Sequence, residues 1–262
     1  ASASTLEDVR TAGILIMRNA LDGAEVTHFE VTAITGGALY LADSVTRVVD
    51  GSFITVAQGE AGLVFDPTPD STLDGSFVVR AATAAQAAAV GGEAAVVTVA
   101  ITAVNDAPVL SALADLHDLV TGEAGAALSV IDLLAGFVSD VDAGAQTGVA
   151  IVGADAAHGV WQYTLDDGST WNALGAVSET GALLLAAEPG VAIRFCPEAG
   201  YLGAASIDAR AWDRTSGVAG THADVTSTGG TSAFSAQVQR ARVQVVAAPA
   251  PSIPNDVLPV TE

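Results

Sequence analysis

Lysine is absent from this 262-residue chain: all nine basic side chains are Arg, set against 20 Asp and 10 Glu, for a formal charge of −21. A surface this negative repels phosphate backbones and anionic lipid, so nucleic acid is all but excluded as a partner. What remains is an acidic solvated surface or the binding of cations. Arg in place of Lys, together with much Ala, also fits a bias of genome composition. Cysteine occurs once, at Cys196 between Phe195 and Pro197, so no intrachain disulfide can form and the thiol reads as buried and inert. Stability must then come from a core or from metal. No apolar run reaches the ~18 residues of a membrane span, which argues against membrane insertion. The first residues lack a basic stretch followed by an apolar one, so no signal peptide is visible, and the chain reads as an interior piece of a longer protein. The 27 Gly and 9 Pro are too aperiodic for collagen, and a hydrophobic content of 50% excludes a fully disordered chain.

Strand signals dominate what is present. Short β-rich runs cover Phe53 to Val56, Gly62 to Phe65, Ser76 to Arg80 and Ala94 to Val104 in the first half. In the second half they cover Gly148 to Val152, Val160 to Leu165, Leu183 to Ala186, Val191 to Phe195, Ala205 to Trp212 and Gln237 to Val246. Ile207, Ala209 and Ala211 alternate with Asp208 and Arg210, the period of a strand with one buried face. Turn chemistry is explicit at Asp50-Gly51, Asp74-Gly75 and Asp166-Asp167-Gly168. Helical periodicity is weak, with Ala81 to Ala89 and Val130 to Val138 as the two candidates. Many short strands with polar turns predict an all-β chain of two tandem β-sandwich domains in an elongated arrangement.

The joint between them is readable. An extended apolar run ends at Val104, and Asn105-Asp106-Ala107-Pro108 follows; Pro108 cannot donate to a ladder and biases Ala107 towards extended geometry. The expected divisions are residues 1–104, 105–248 and a Pro-rich linker at 249–262. Asn255-Asp256, then Pro259, repeats the signature of the first joint, as in a tandem array.

The acids near that joint are the informative set. Asp140 and Asp142 stand at i and i+2, pointing the same way about 7 Å apart if the segment is extended. Asn105 and Asp106 lie in the joint, Asp213 ends a strand, and Glu7 and Asp8 open the first domain. Hard oxygen ligands from several loops, without His or Cys, suit Ca²⁺ rather than Zn²⁺. From spacing alone, ordinary solvated turn aspartates account for the set equally well.

Asn105-Asp106-Ala107-Pro108 resembles the interdomain linker of cadherin-like repeats, Asp140-Val141-Asp142 their Asp-x-Asp calcium motif, and Ala211-Trp212-Asp213 their later strand-end Asp. Residues Ile14 to Leu41, with Arg18-Asn19-Ala20-Leu21-Asp22-Gly23 at their centre, resemble the chondroitin-sulfate-proteoglycan-type repeats of giant bacterial surface adhesins exported by type I secretion. The second domain resembles another repeat common in such proteins. The resemblance implies Greek-key sandwiches with Ca²⁺ at each joint. Its implied ligands are Glu7, Asn105, Asp106, Asp140, Asp142 and Asp213. The pattern departs at Ala103 and Ala20, where acids are expected, so the far end of the first domain is poor in ligands.

The resemblance also implies a secreted, cell-surface context in attachment or biofilm formation. Adjacent repeats of the same polypeptide would be the partners, with surface or matrix polysaccharide or protein as further ones. Enzyme readings fare poorly: His28, His117, His158 and His222 are scattered, and no nucleophile or phosphate-loop motif occurs. Asp166 and Asp167 read as a hairpin turn rather than a glycosidase pair. A calcium-stiffened extender is the expected function. A surface-layer or filament subunit is the second reading, and a carbohydrate-binding module stacking sugars on Trp161, Tyr163, Trp171 and Trp212 is the third.

Overall fold

A computed structural model describes residues 2–123 and 125–249 of the chain. The proposed linker beyond residue 249, with Asn255 and Asp256, lies outside the described residues. The chain is all-β, and it divides between Val104 and Asn105 into two compact units.

In the first unit, a five-stranded sheet runs in the order Ser2–Leu6, Ala95–Thr102, Gly75–Ala82, His28–Thr35, Ser52–Thr55. The opposing sheet is Arg47–Val48, Gly37–Tyr40, Val64–Pro67. Alternation does the sorting: Phe77, Val79, Val97 and Val99 are buried, while Arg80, Val96 and Thr98 face out. The inward set meets Leu39 and Phe65 from the other sheet to form one core. Ser2–Leu6 joins Ala95–Thr102 in parallel, which places Glu7 beside the end of that strand.

Both helical candidates shrink. Ala81 and Ala82 belong to a strand, leaving one 3₁₀ turn at Ala87–Ala89. Val130–Leu134 is a short helix capped by Ser129, but Val138–Ser139 is a strand. Apolar pairing with neighbouring strands outweighs the helix propensity of these Ala- and Leu-rich runs. A third helix, Val56–Ala61, was not anticipated; a capping box starts it, with Gln58 N–H donating to Thr55 Oγ1 at 3.2 Å and Thr55 N–H to Gln58 Oε1 at 2.8 Å.

The second unit carries a six-stranded sheet, in the order Leu119–Val120, Gln239–Val246, Gly203–Trp212, Gly148–Ala154, Ala182–Ala186, His222–Ala223. Opposite it lie Leu128–Ser129, Ala192–Pro197, Gly159–Thr164 and Asn172–Ala173. Val149, Ile151, Leu183, Leu185, Ala209 and Ala211 point between the sheets, where Trp161 and Phe195 pack with ring centroids 5.0 Å apart.

The outer face of the large sheet is also dry. Between Trp212 and Gln239 the chain forms a strap, residues 213–238, that lays Val225, Ala233 and Phe234 over Ala150, Ala182, Leu184 and Trp212. Its middle adds His222–Ala223 to the edge of the sheet, and Gly220 N–H donates to Leu184 O at 2.7 Å. Arg210 fastens its far end, donating to Ser235 O at 2.9 Å and Ala236 O at 2.8 Å while pairing with Glu179. A second core therefore backs the first. Ala182–Ala186 accordingly reads as an unbroken apolar run buried at every position.

This double burial makes the outward-facing leucine costly to lose. Leu184→Ala should destabilise the protein by about 2–5 kcal/mol, as much as Leu183→Ala on the inner face. Urea titration of both variants checks it; a near-neutral Leu184→Ala would mean that the strap does not seal this face.

Candidate metal centre

Five of the six anticipated ligands are brought together within the second unit. Asp142 Oδ2 accepts the Asp106 backbone N–H at 2.9 Å, and carboxylate oxygens of Asp106 and Asp142 lie within 4.8 Å of each other. Asp142 N–H donates to Asp140 Oδ1 at 2.9 Å. That bond is an Asx-type contact, in which a short carboxylate takes the backbone N–H two residues on.

Asp213 ends the strand Gly203–Trp212 and is 3% exposed. Its Oδ1 accepts Thr215 N–H at 2.8 Å and Thr215 Oγ1–H at 2.6 Å; its Oδ2 accepts Asn105 Nδ2–H at 2.7 Å. Thr215, and the donor role of Asn105, are contributions that spacing did not reveal. The sixth residue, Glu7, belongs to the first unit, where it is 2% exposed and accepts Val104 N–H at 2.7 Å.

The cluster carries an electrostatic problem. Asp140 Oδ2 is buried without a hydrogen-bond partner among the described residues. Burial holds the Asp140 carboxyl above its ordinary pKa, with the charges of Asp142 and Asp213 adding to the rise. A recess of about 360 Å³, lined by Asn105, Asp142, Gln146, Asp213, Arg214 and Thr215, opens beside these groups. The orphaned oxygen and the oxygen-only donor set fit a hard divalent cation such as Ca²⁺.

The other candidates resolve differently. Asp166 caps its turn by accepting from Thr164 and Thr170, with Asp167 and Gly168 at φ +57° and +81°. Trp161 and Trp212 are buried, Tyr163 packs against the core, and half-buried Trp171 lies under the Arg194 guanidinium, 3.8 Å from the ring centroid. The four aromatics therefore form no exposed row. His158 stacks on Tyr201, and His28 meets the Thr27 hydroxyl at 2.9 Å. Half-buried Cys196 donates its Sγ–H to Gln162 Oε1 at 3.3 Å. Among the described residues, no helix is long and apolar enough to cross a membrane.

No protein-family model and no curated protein matches the chain. Among solved structures, it is similar to mouse cadherin-23 repeats EC22-24 at 13% identity and a TM-score of 0.47, over 94% of this chain and 63% of that one. It is similar to human mucin-like protocadherin repeats EC1-2 at 11% identity and a TM-score of 0.42, over 94% of this chain and 96% of that one. The all-β assignment rests on the sheets themselves.

A group whose pKa is raised in the folded state binds its proton more tightly there than in the unfolded chain. Its contribution to stability is therefore lost as pH rises from the unfolded value through the folded one. In chelator at neutral pH, Asp140→Asn, which removes that charge but keeps the shape, should melt above wild type. Thermal melts at pH 7 decide the point, and a lower melting temperature for the variant would show that the carboxylate is compensated within the chain.

Proposed function

We propose that the chain is a calcium-stiffened pair of spacer repeats from an extracellular, adhesion-type surface protein, and that it holds a ligand-binding end away from a bacterial cell. The observation that carries the reading is the buried, partnerless oxygen of Asp140 amid the carboxylates of Asp106, Asp142 and Asp213. These four residues would hold the ion. Glu7 enters the ligand set through the resemblance. Calcium, when bound, supplies the two positive charges that the cluster lacks and accepts oxygen donors without strict geometry.

The mechanical consequence follows from connectivity. Asn105 and Asp106 directly follow Val104, the last residue of the first unit, so fixing them onto the second unit removes freedom from the segment through which the units are joined. The strong negative charge suits cation binding, and a secreted chain without disulfides must draw its stability from its core or from metal. Neighbouring repeats of the same polypeptide are the partners proposed first, and attachment or biofilm formation is the setting that the resemblance favours.

Ions that bind only the folded state stabilise it by mass action, so free Ca²⁺ at ten times Kd should add about 1.4 kcal/mol. With extracellular modules binding at roughly 10⁻⁴–10⁻³ M, millimolar Ca²⁺ should raise the melting temperature of chelator-treated protein. Asp140→Ala with Asp142→Ala should abolish the rise while both units stay folded, and small-angle scattering of this variant in Ca²⁺ should match wild type in chelator. An equal rise with NaCl would reduce the effect to charge screening. Wild-type scattering indifferent to Ca²⁺ would remove the stiffening role.

A further inference from the structure

The strap over the outer face of the large sheet springs from one of the clustered acids. Asp213 opens it, and Asp213 N–H donates to Ala233 O at 3.1 Å, closing its outgoing limb against its returning one. The segment that enters the unit is stitched to the same place. Ala107 N–H donates to Gly230 O at 2.7 Å, and the Asn105 amide donates to Asp213 Oδ2 at 2.7 Å and to Ser232 O at 3.2 Å. Both partners of that amide are acceptors only, which fixes its nitrogen towards them. Asn105 therefore bridges the carboxylate at the start of the strap to the backbone of its returning limb.

We infer that Asn105 is a positioning residue that couples cation binding at the acidic cluster to closure of the strap. The inference rests on the calcium reading above. With the cluster neutralised, Asp213 keeps its place against Asn105, and both limbs of the strap are held. With the charges uncompensated, Asp140 and Asp142 push on Asp213, the residue that anchors both limbs. The strap is built to respond: its interior is small, formed by Val225, Ala233 and Phe234, and most of its length from Thr215 to Ala219 is exposed. Opening it would bare Leu184, Trp212 and the hydrogen-bonding edge of the strand Ala182–Ala186, so the ion would guard an aggregation-prone edge as well as a joint.

Hydrogen exchange on the full chain, in chelator and in millimolar Ca²⁺, tests this alongside calorimetric titration with Ca²⁺. The informative amides are those that sew strap to sheet: Gly220 to Leu184 O, Leu184 to Thr221 O and Val225 to Glu179 O. In wild type they should exchange roughly tenfold slower in Ca²⁺, while inner-strand amides such as Ile207 change little. In Asn105→Ala, compared at a Ca²⁺ concentration that calorimetry shows to saturate the variant, the strap should slow by less than about twofold. A purely structural Asn105 would instead speed exchange equally in both buffers and leave the Ca²⁺ effect intact, which would overturn the inference. Ca²⁺ binding with no change in wild-type strap exchange would overturn it too, with the calcium reading still standing. No heat of binding together with unchanged exchange would remove both. The wild-type comparison needs no variant to fold, and Asn105→Ser serves where Asn105→Ala is unstable.

Discussion

Crowded carboxylates at the start of the second unit are the constraint around which its remaining parts are arranged. Desolvating like charges is unfavourable unless each finds a donor or a cation. Several donors are recruited: the Asp106 N–H for Asp142, the Asp142 N–H for Asp140, and the Asn105 amide with Thr215 for Asp213. Each donor fixes a piece of chain. The entering segment, the turn after Val138–Ser139 and the end of the strand Gly203–Trp212 are all positioned by bonds to these acids. Asp140 Oδ2 is buried with no hydrogen-bond partner among the described residues.

Much of this site was legible because its residues are conspicuous: two acids one residue apart, an Asn-Asp before a Pro, and an acid closing an alternating strand. Their geometry was not. Spacing shows two acids on one short segment, but not that the backbone N–H of Asp142 is taken up by the Asp140 carboxylate. Nor does spacing disclose that the Asn105 amide nitrogen donates to Asp213 and Ser232, more than a hundred positions away. Local chemistry names the participants, and tertiary contacts assign their parts.

The fold divides along the same line. Strands such as Gly75–Ala82 and Gly203–Trp212 bury alternate residues, so period-two reading finds them. Reading a sandwich by alternation, however, assumes that each sheet has one wet face. In the second unit that assumption fails, because the strap covers the outside of the large sheet with a second apolar cluster. The signal was present in the unbroken run Ala182–Ala186, whose lack of alternation marks a strand buried on both faces. What covers such a face cannot be read from the run itself, for the strap's own apolar residues are few and widely spaced.

Where the Arg side chains go completes the argument. The four ion pairs among the described residues join Arg10 to Asp66, Arg210 to Glu179, Arg214 to Glu188 and Arg240 to Asp208, and none involves Asp140, Asp142 or Asp213. The solvent-facing pairs of Arg10 and Arg240 contribute little to stability, whereas Arg210, 12% exposed, also holds the strap through Ser235 O and Ala236 O. Arg214 is the telling case: it follows Asp213 directly and lines the same recess, yet its guanidinium turns to Glu188 and lies 6.0 Å from the centre of the Trp212 ring. A guanidinium turned inward would have offset one of these negative charges permanently. Directing it away leaves the carboxylates of Asp140, Asp142 and Asp213 without an Arg partner among the described ion pairs, which is the arrangement that the proposed cation would complete.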